Sequence, residues 1–114
     1  MLRIIKTDFE FSDDRGTISQ LIHDGYKQIN VITSKKGVFR GGHYHKENRE
    51  AFYVVSGAVK LDVNGQMHAF KSGDFFGIDP FDMHSFLFEE DTTLVSMYSD
   101  GVEKADGTKD IYTE

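Results

Sequence analysis

Between Glu50 and Ile78 the chain reads EAFYVVSGAVKLDVNGQMHAFKSGDFFGI. Within this stretch Val59, Leu61 and Val63 alternate with polar residues, which is the pattern of a strand with one buried face. Asn64-Gly65 follows directly, and this pair favours a two-residue hairpin turn because both residues tolerate positive φ. The stretch therefore predicts short antiparallel strands joined by tight turns.

Similar short runs of β-branched and aromatic residues occupy much of the remaining chain, separated by glycine-containing turns, and no run of ten residues has a helical period. The predicted strands are residues 29–33, 50–55, 58–63, 66–70, 75–78, 83–88 and 92–98. This spacing predicts an all-β sandwich or barrel that forms a single domain over residues 1–114. Residues 100–114 are polar and are expected to form a weakly attached or partner-facing tail.

The amino-acid composition excludes several classes of protein and of functional site. The 114 residues are 39% apolar and include ten Phe and five Tyr, which is enough for a packed core and excludes a disordered chain. Thirteen Lys and Arg stand against nineteen Asp and Glu, and the net charge of −6 argues against binding to nucleic acid. No Cys is present, which excludes thiolate metal sites and Cys nucleophiles. No signal-peptide pattern or membrane-spanning run is visible, so no membrane partner and a cytoplasmic location are expected.

Four residues have the chemistry and spacing of a metal site. His43 and His45 are two residues apart, so on a strand both side chains address one face. Glu50 begins the next predicted strand and His84 lies in a later one. Imidazole and carboxylate donors suit a divalent metal such as Zn, Mn, Fe or Ni, and no organic cofactor is expected. The alternative is a metal-free site in which some of the same histidines act as acid or base, whereas His23 and His68 belong to no motif.

The spacing of these residues resembles the first motif of the cupin superfamily. That motif is Gly, five residues, His-x-His, three or four residues, Glu, six residues and Gly, and it is filled here by Gly37, His43, His45, Glu50 and Gly57. The second motif is matched by Gly73 and His84, but Asp79, Phe81 and Phe88 stand where Pro, Gly and Asn are usual. The resemblance implies a double-stranded β-helix, or jelly roll. It also implies that His43, His45, Glu50 and His84 are the metal ligands.

Two arginine-containing segments resemble a narrower group of cupins. Asp14-Arg15-Gly16 precedes a predicted strand, and Arg40-Gly41 stands just before His43. Both segments are similar to those of dTDP-4-keto-6-deoxyhexose 3,5-epimerases, dTDP-hexose 3,4-ketoisomerases and the C-terminal cupin of capsular polysaccharide assembling proteins. This resemblance implies an isomerase or epimerase of surface-polysaccharide biosynthesis that binds a nucleotide-linked sugar. It further implies that Arg15 and Arg40 bind the diphosphate, for which guanidinium is well suited.

The residue types suit that chemistry. A 4-keto group acidifies the C–H bonds on neighbouring carbons, and histidine is the usual base for such a proton at neutral pH. The resemblance assigns this role to His43, next to His45. The enolate oxygen needs a donor or a metal, and the proton must then return to carbon. Tyr44 and Tyr53 are the candidate second acids.

Two other functions remain open on the same scaffold. One is a small metal-dependent cupin enzyme, such as a dioxygenase or lyase, and the other is a non-catalytic sugar-binding cupin. A homodimer is expected in each case, because a jelly roll of this length leaves long strand edges unpaired. The apolar N-terminal residues 2–5 form a predicted strand that needs a partner.

Overall fold

The computed structural model describes residues 1–113, which form eleven β-strands. The strands are β1 Arg3–Ile4, β2 Phe9–Asp13, β3 Gly16–Gln20, β4 Gln28–Ser34, β5 Phe39–His43, β6 Glu50–Ser56, β7 Ala58–Val63, β8 Gln66–Lys71, β9 Phe75–Ile78, β10 His84–Phe88 and β11 Thr92–Tyr98. Residue 114, the last of the predicted tail, lies outside the described residues. No helix in residues 1–113 has the length and apolar character needed to cross a membrane.

Two antiparallel sheets enclose one core. The five-stranded sheet has the order β1-β9-β6-β11-β4, and the four-stranded sheet has the order β5-β10-β7-β8. Buried side chains from both sheets form one apolar cluster, which includes Phe52 and Leu94 from the first sheet and Leu61 and Phe88 from the second. The predicted all-β jelly roll is confirmed.

Alternation along β6 decides which of its side chains face this core. Phe52 and Val54 belong to the buried cluster between the sheets. Tyr53 lies on the outer face of the five-stranded sheet, in a second cluster with Phe75 and Met97. Successive side chains of a strand point to opposite faces, so Glu50 shares the inner face of Phe52.

Strand register brings the candidate site residues to one end of the sandwich. His43, the last residue of β5, pairs with His84, the first residue of β10. Glu50, the first residue of β6, pairs with Tyr98, the last residue of β11. Two strand ends from each sheet therefore meet at the same end of the jelly roll, although their residues are up to 55 positions apart.

The C-terminal segment is attached to the domain more firmly than its polar composition suggests. Val102 and Asp110 are buried, and Asp110 donates its backbone N–H to the carbonyl of Val102. Tyr112 pairs with Tyr44 through two backbone hydrogen bonds. The segment from Gly101 to Tyr112 is therefore part of the domain, beside the loop that follows the two motif histidines.

The N-terminal strands also differ from expectation. β1 does not need a partner from another chain, because Arg3 and Ile4 pair with β9 of the same chain. β2 and β3 form a separate two-stranded sheet, and nearly all of its residues are exposed. Arg15 lies in the turn of this hairpin.

Candidate active site and metal centre

Three histidine rings lie together at the end of the jelly roll. The ring centroids of His43 and His84 are 4.6 Å apart, those of His43 and His45 are 5.1 Å apart, and those of His45 and His84 are 5.5 Å apart. One ring nitrogen from each of the three lies within 4.8 Å of the others. The predicted convergence of these imidazoles is therefore present in the structure.

Glu50 connects two of these rings. Its Oε1 lies 3.1 Å from Nε2 of His45 and 3.4 Å from Nε2 of His84, and its Oε2 accepts a hydrogen bond of 2.9 Å from the Ser96 hydroxyl. Burial of Glu50 opposes ionisation, but the hydrogen bonds from His45 and His84 outweigh it and lower its pKa to about 2. Glu50 is therefore a buried carboxylate.

Backbone carbonyls accept hydrogen bonds from the second ring nitrogen, Nδ1, of His45 and His84. Nδ1 of His45 lies 2.6 Å from the carbonyl oxygen of Asp110, and Nδ1 of His84 lies 3.0 Å from that of Asp82. A carbonyl oxygen only accepts hydrogen bonds, so each Nδ1 must carry the proton. Nε2 of both rings then faces the same oxygen of Glu50.

This donor set fits a divalent metal. Histidines that bind metals usually donate their second N–H to a carbonyl or carboxylate, as His45 and His84 do here, which leaves Nε2 for the ion. His43 supplies a third imidazole and Glu50 a carboxylate oxygen, both of which suit Zn, Mn, Fe or Ni.

The charge state of His45 follows from the same geometry. Nδ1 of His45 faces the carbonyl of Asp110, and Nε2 faces the carboxylate of Glu50. Both acceptors can be satisfied only when both ring nitrogens carry a proton. Burial disfavours that charge, but the hydrogen bond to Glu50 outweighs the burial and raises the pKa of His45. His45 and Glu50 thus form a buried ion pair.

His43 is in the opposite state. Burial, followed by the neighbouring rings of His84 and His45, lowers its pKa to about 4. Its ring is therefore neutral at neutral pH and has a free electron pair on one nitrogen. His43 also lines a cavity at this end of the jelly roll, whereas His45 is 2% exposed and lies behind the cavity wall.

A cavity of about 230 Å³ opens beside these rings. Its polar wall contains Arg40, His43, Glu50, His84 and Tyr98, and its apolar wall is formed by Ile32, Phe52, Phe86, Phe88 and Leu94. Pockets that enclose drug-sized ligands measure roughly 300–1,000 Å³, so this one encloses a smaller group. An apolar chamber with a few convergent polar groups is typical of a small-molecule site.

The two arginines of the sequence analysis have different positions. Arg40 is exposed at the rim of the cavity, and its Nε donates a 2.7 Å hydrogen bond to the Ser34 hydroxyl. Arg15 is not part of the cavity wall. It lies at the exposed tip of the β2-β3 hairpin and makes hydrogen bonds of 2.6 and 3.0 Å to Asp13.

Neither predicted second acid faces the cavity. Tyr44 lies between two inward-facing histidines and therefore points outward, where its ring stacks on Phe81 and Tyr112. Tyr53 points to the outer face of the five-stranded sheet and packs against Phe75. The alternation of side chains along each strand excludes both from the wall of the cavity.

Tyr98 takes the position predicted for them. It lines the cavity, and its ring is 5.4 Å from that of His45. Burial, with the negative charge of Glu50, raises its pKa, so the hydroxyl keeps its proton at neutral pH. One signal in the sequence points to it: Tyr98 has the same parity as Leu94 and Ser96 on β11, and so belongs to the inward-facing set.

Comparisons with known proteins agree with this architecture. A family model described as "Cupin domain" matches residues 30–98. A 3,4-ketoisomerase from Helicobacter canadensis superposes with a TM-score of 0.83 at 19% identity, over 99% of this chain and 90% of that chain. A variant of the 3,4-ketoisomerase QdtA from Thermoanaerobacterium thermosaccharolyticum, in complex with TDP-4-keto-6-deoxyglucose, superposes with a TM-score of 0.76 at 18% identity, over 99% and 87% of the two chains. At these identities the similarity establishes the fold.

A curated relative shares a shorter stretch. The UDP-2-acetamido-2,6-beta-L-arabino-hexul-4-ose reductase of Pseudomonas aeruginosa is 37% identical over 51 residues. The match covers 44% of this chain and only 14% of the length of that relative.

Proposed function

The chain belongs to the cupin domain family, and from that premise we propose that its cavity isomerises or epimerises a nucleotide-linked 4-keto-6-deoxy sugar. The observation that carries this proposal is the position of the His43 ring on the wall of a small, largely apolar chamber. A base placed there can take a proton from a bound carbon acid. We also propose surface-polysaccharide biosynthesis as the setting and the cytoplasm as the location.

The size of the chamber and the position of Arg40 support a nucleotide-linked ligand. A cavity of about 230 Å³ encloses a group of the size of one sugar ring, so the rest of a larger ligand must lie outside. Arg40 stands at the rim, where guanidinium can form paired hydrogen bonds with a diphosphate. The QdtA structure in complex with TDP-4-keto-6-deoxyglucose and the UDP-sugar reductase support the same class of ligand.

The proposed reaction begins with removal of a proton. A nitrogen of His43 takes the proton from the carbon next to the ketone. The electron pair of that C–H bond becomes part of a C=C bond, and the carbonyl electrons move to oxygen, giving an enolate. This step needs no oxidant or reductant, and enolate formation is helped by a donor placed at the oxygen.

The second half of the reaction returns a proton. Tyr98 is the proposed donor, because its neutral hydroxyl faces the same chamber as His43. Delivery to the opposite face of the same carbon inverts that carbon. Transfer of the neighbouring hydroxyl proton to the enolate oxygen, with protonation of the former carbonyl carbon, instead moves the ketone by one position.

The same donor set supports an alternative: we propose that His43, His45, Glu50 and His84 can hold a divalent metal, in which case His43 gives its electron pair to the ion and is not the base. When bound, such an ion would act as a Lewis acid toward a substrate oxygen. Elemental analysis of protein purified without added metal tests the proposal, with His68→Asn as a variant outside the site. A stoichiometric metal that His84→Asn removes is the expected result, and retention of that metal by His84→Asn would contradict it.

Nucleotide binding is the first test of the proposed ligand. We expect dTDP or UDP at millimolar concentration to raise the melting temperature by about 4 °C or more, since a ligand at 100 times its Kd stabilises by about 2.7 kcal/mol. Arg40→Ala should remove most of this shift. Arg49→Ala should keep it, because Arg49 lies over Tyr26, away from the cavity.

The other outcomes separate the alternative functions. No shift with either nucleotide, measured by thermal denaturation, would contradict a nucleotide-linked ligand and favour a metal-dependent enzyme that acts on another small molecule. The histidine and carboxylate donor set is the observation that supports that alternative. Binding without turnover would favour a non-catalytic sugar-binding cupin.

We propose that the protein forms a homodimer through its β2-β3 hairpin. Phe9, Phe11 and Ile18 share one face of this hairpin and are 47–65% exposed. A lone two-stranded hairpin is marginally stable in water. Ile29 and Val31 on the outer face of β4 are also exposed, so the hairpin of one copy can cover this face of the other in a two-fold arrangement.

Ile18→Asp should dissociate this dimer, because it places a charge in the apolar contact. The expected result in analytical ultracentrifugation is a mass near 26 kDa for the natural chain, twice its 13.0 kDa, and near 13 kDa for the variant. Thr17→Asp lies on the opposite face of the same hairpin and serves as the control. A natural chain that sediments as a monomer would contradict the proposal.

A further inference from the structure

Asp110 binds the loop that joins the motif histidines to Glu50. Its Oδ1 accepts a hydrogen bond of 2.8 Å from the backbone N–H of Lys46. Its Oδ2 accepts bonds of 3.0 and 3.1 Å from the backbone N–H groups of Glu47 and Asn48, and one of 2.7 Å from the Asn48 side chain. One carboxylate, 2% exposed, thus satisfies three successive backbone donors that lie more than 60 residues away in the sequence.

The same residue also holds a ring of the site. The backbone carbonyl of Asp110 accepts the 2.6 Å hydrogen bond from Nδ1 of His45. Asp110 is thereby in contact with the loop and with the histidine at the start of that loop. Glu50 stands at the other end of the loop and faces the opposite nitrogen of His45.

Asn48 ties this arrangement to the C-terminal segment. Its side-chain oxygen accepts hydrogen bonds of 2.9 Å from the backbone N–H groups of Asp100 and Gly101, and its amide nitrogen donates to the carbonyl of Gly101 at 3.0 Å. Asn48 is 1% exposed, so these bonds are shielded from water. The loop of residues 46–49 is therefore fixed by the C-terminal segment.

We propose that Asp110 is a positioning residue, which holds the Nδ1–H group and the orientation of His45 and so sets the distance of the ring to Glu50. The geometric part of this proposal stands on the hydrogen bonds alone. The effect on turnover rests on the function proposed above. Partners that orient a histidine in this way typically change activity by about 10- to 100-fold when they are altered.

Substitutions at Asp110 separate its two contacts. Every variant at position 110 keeps the backbone carbonyl that binds Nδ1 of His45. A change of side chain can therefore affect His45 only by loosening the segment that carries this carbonyl. Asp110→Asn keeps one acceptor oxygen but turns an amide donor toward backbone N–H groups, which are themselves donors. Asp110→Ala removes all four side-chain bonds. Asp106→Ala is the matched control, because Asp106 binds Thr108 in an exposed turn.

The test uses NMR on the protein without substrate. In the natural chain, the ring nitrogen shifts should show a proton on Nδ1 of His45 that exchanges slowly with water. In Asp110→Asn and Asp110→Ala, that proton and the amides of residues 46–48 should exchange about tenfold faster or more. Asp106→Ala should leave both unchanged.

Two results would overturn the proposal. One is the finding that Nδ1 of His45 carries no proton in the natural chain. This measurement does not depend on the folding of any variant. The other is unchanged protection of His45 and residues 46–48 in Asp110→Asn. Deuterium exchange into a 4-keto sugar adds a separate readout, for which kcat should fall by about 10- to 100-fold with little change in KM. A natural chain without turnover would count against the proposed function, while the NMR result would still decide the role of Asp110.

Discussion

Replacing His43 with asparagine is expected to lower isomerase or epimerase activity by about 10²- to 10⁴-fold, the usual contribution of a general base. Asparagine has a similar shape and keeps a polar group at the cavity wall, but it has no nitrogen that can take a proton. Since His43 is only half-buried at the end of β5, the fold should be retained. Turnover of a dTDP- or UDP-linked 4-keto-6-deoxy sugar is the measurement.

The same substitution at His68 is the matched control. His68 lies on β8, outside the cavity, with its ring stacked on Phe70. His68→Asn should therefore keep nearly full activity. If His43→Asn retained more than about a tenth of the natural rate, the assignment of His43 as the base would be wrong.

Replacing Glu50 with alanine is expected to reduce the free energy of unfolding by about 3–5 kcal/mol. The variant leaves the charge of His45 buried without its partner and removes the acceptor of the Ser96 hydroxyl. Without Glu50, His45 must either keep its charge at the full desolvation cost or release the proton from Nε2, whereas the unfolded chain is solvated in both proteins. Urea denaturation in metal-free buffer measures this difference.

An exposed ion pair provides the comparison for Glu50. Glu89 lies 3.5 Å from Lys60, and both side chains are about 40% exposed. Glu89→Ala should therefore cost no more than about 1 kcal/mol, as is usual for surface pairs. A loss of this small size for Glu50→Ala as well would contradict the buried ion pair.

The sequence was sufficient to predict the fold and the members of the histidine cluster. The spacing of two places His43 and His45 on one face of a strand, and the resemblance to the cupin motifs supplied the jelly roll and the partners Glu50 and His84. The structure shows this convergence at one end of the jelly roll. Alternation also gave the inward face of β7, where Val59, Leu61 and Val63 are buried.

The structure places neither candidate second acid, Tyr44 or Tyr53, on the cavity wall, and strand register, which the sequence does not give, decides this. Tyr53 would face the histidines only if its strand paired with theirs in a suitable register, but Glu50 and Phe52 occupy the inner face of β6 and Tyr53 points outward. Tyr98 faces Glu50 across the β6–β11 ladder, nearly fifty residues away. Parity with Leu94 and Ser96 indicates its inward face, and the pairing of these two strands places it beside Glu50 at the cavity.

The role of the C-terminal segment could not be predicted from composition. Its polar residues suggested a solvated tail, but most of its bonds to the domain use backbone groups, which leave no pattern in the sequence. Asp110 satisfies N–H groups of residues 46–48, and Tyr112 pairs with the backbone of Tyr44. A polar segment can therefore be firmly bound when its partners are unsatisfied backbone donors and acceptors.

The central claim is that this cavity removes a proton from a carbon next to a ketone. Its most direct test is incubation of the natural chain in D₂O with dTDP- and UDP-linked 4-keto-6-deoxy sugars, followed by NMR of the recovered sugar. We expect deuterium at a ring carbon adjacent to the original ketone, and no such incorporation with His43→Asn. Binding of the sugar with no deuterium at either neighbouring carbon would contradict it.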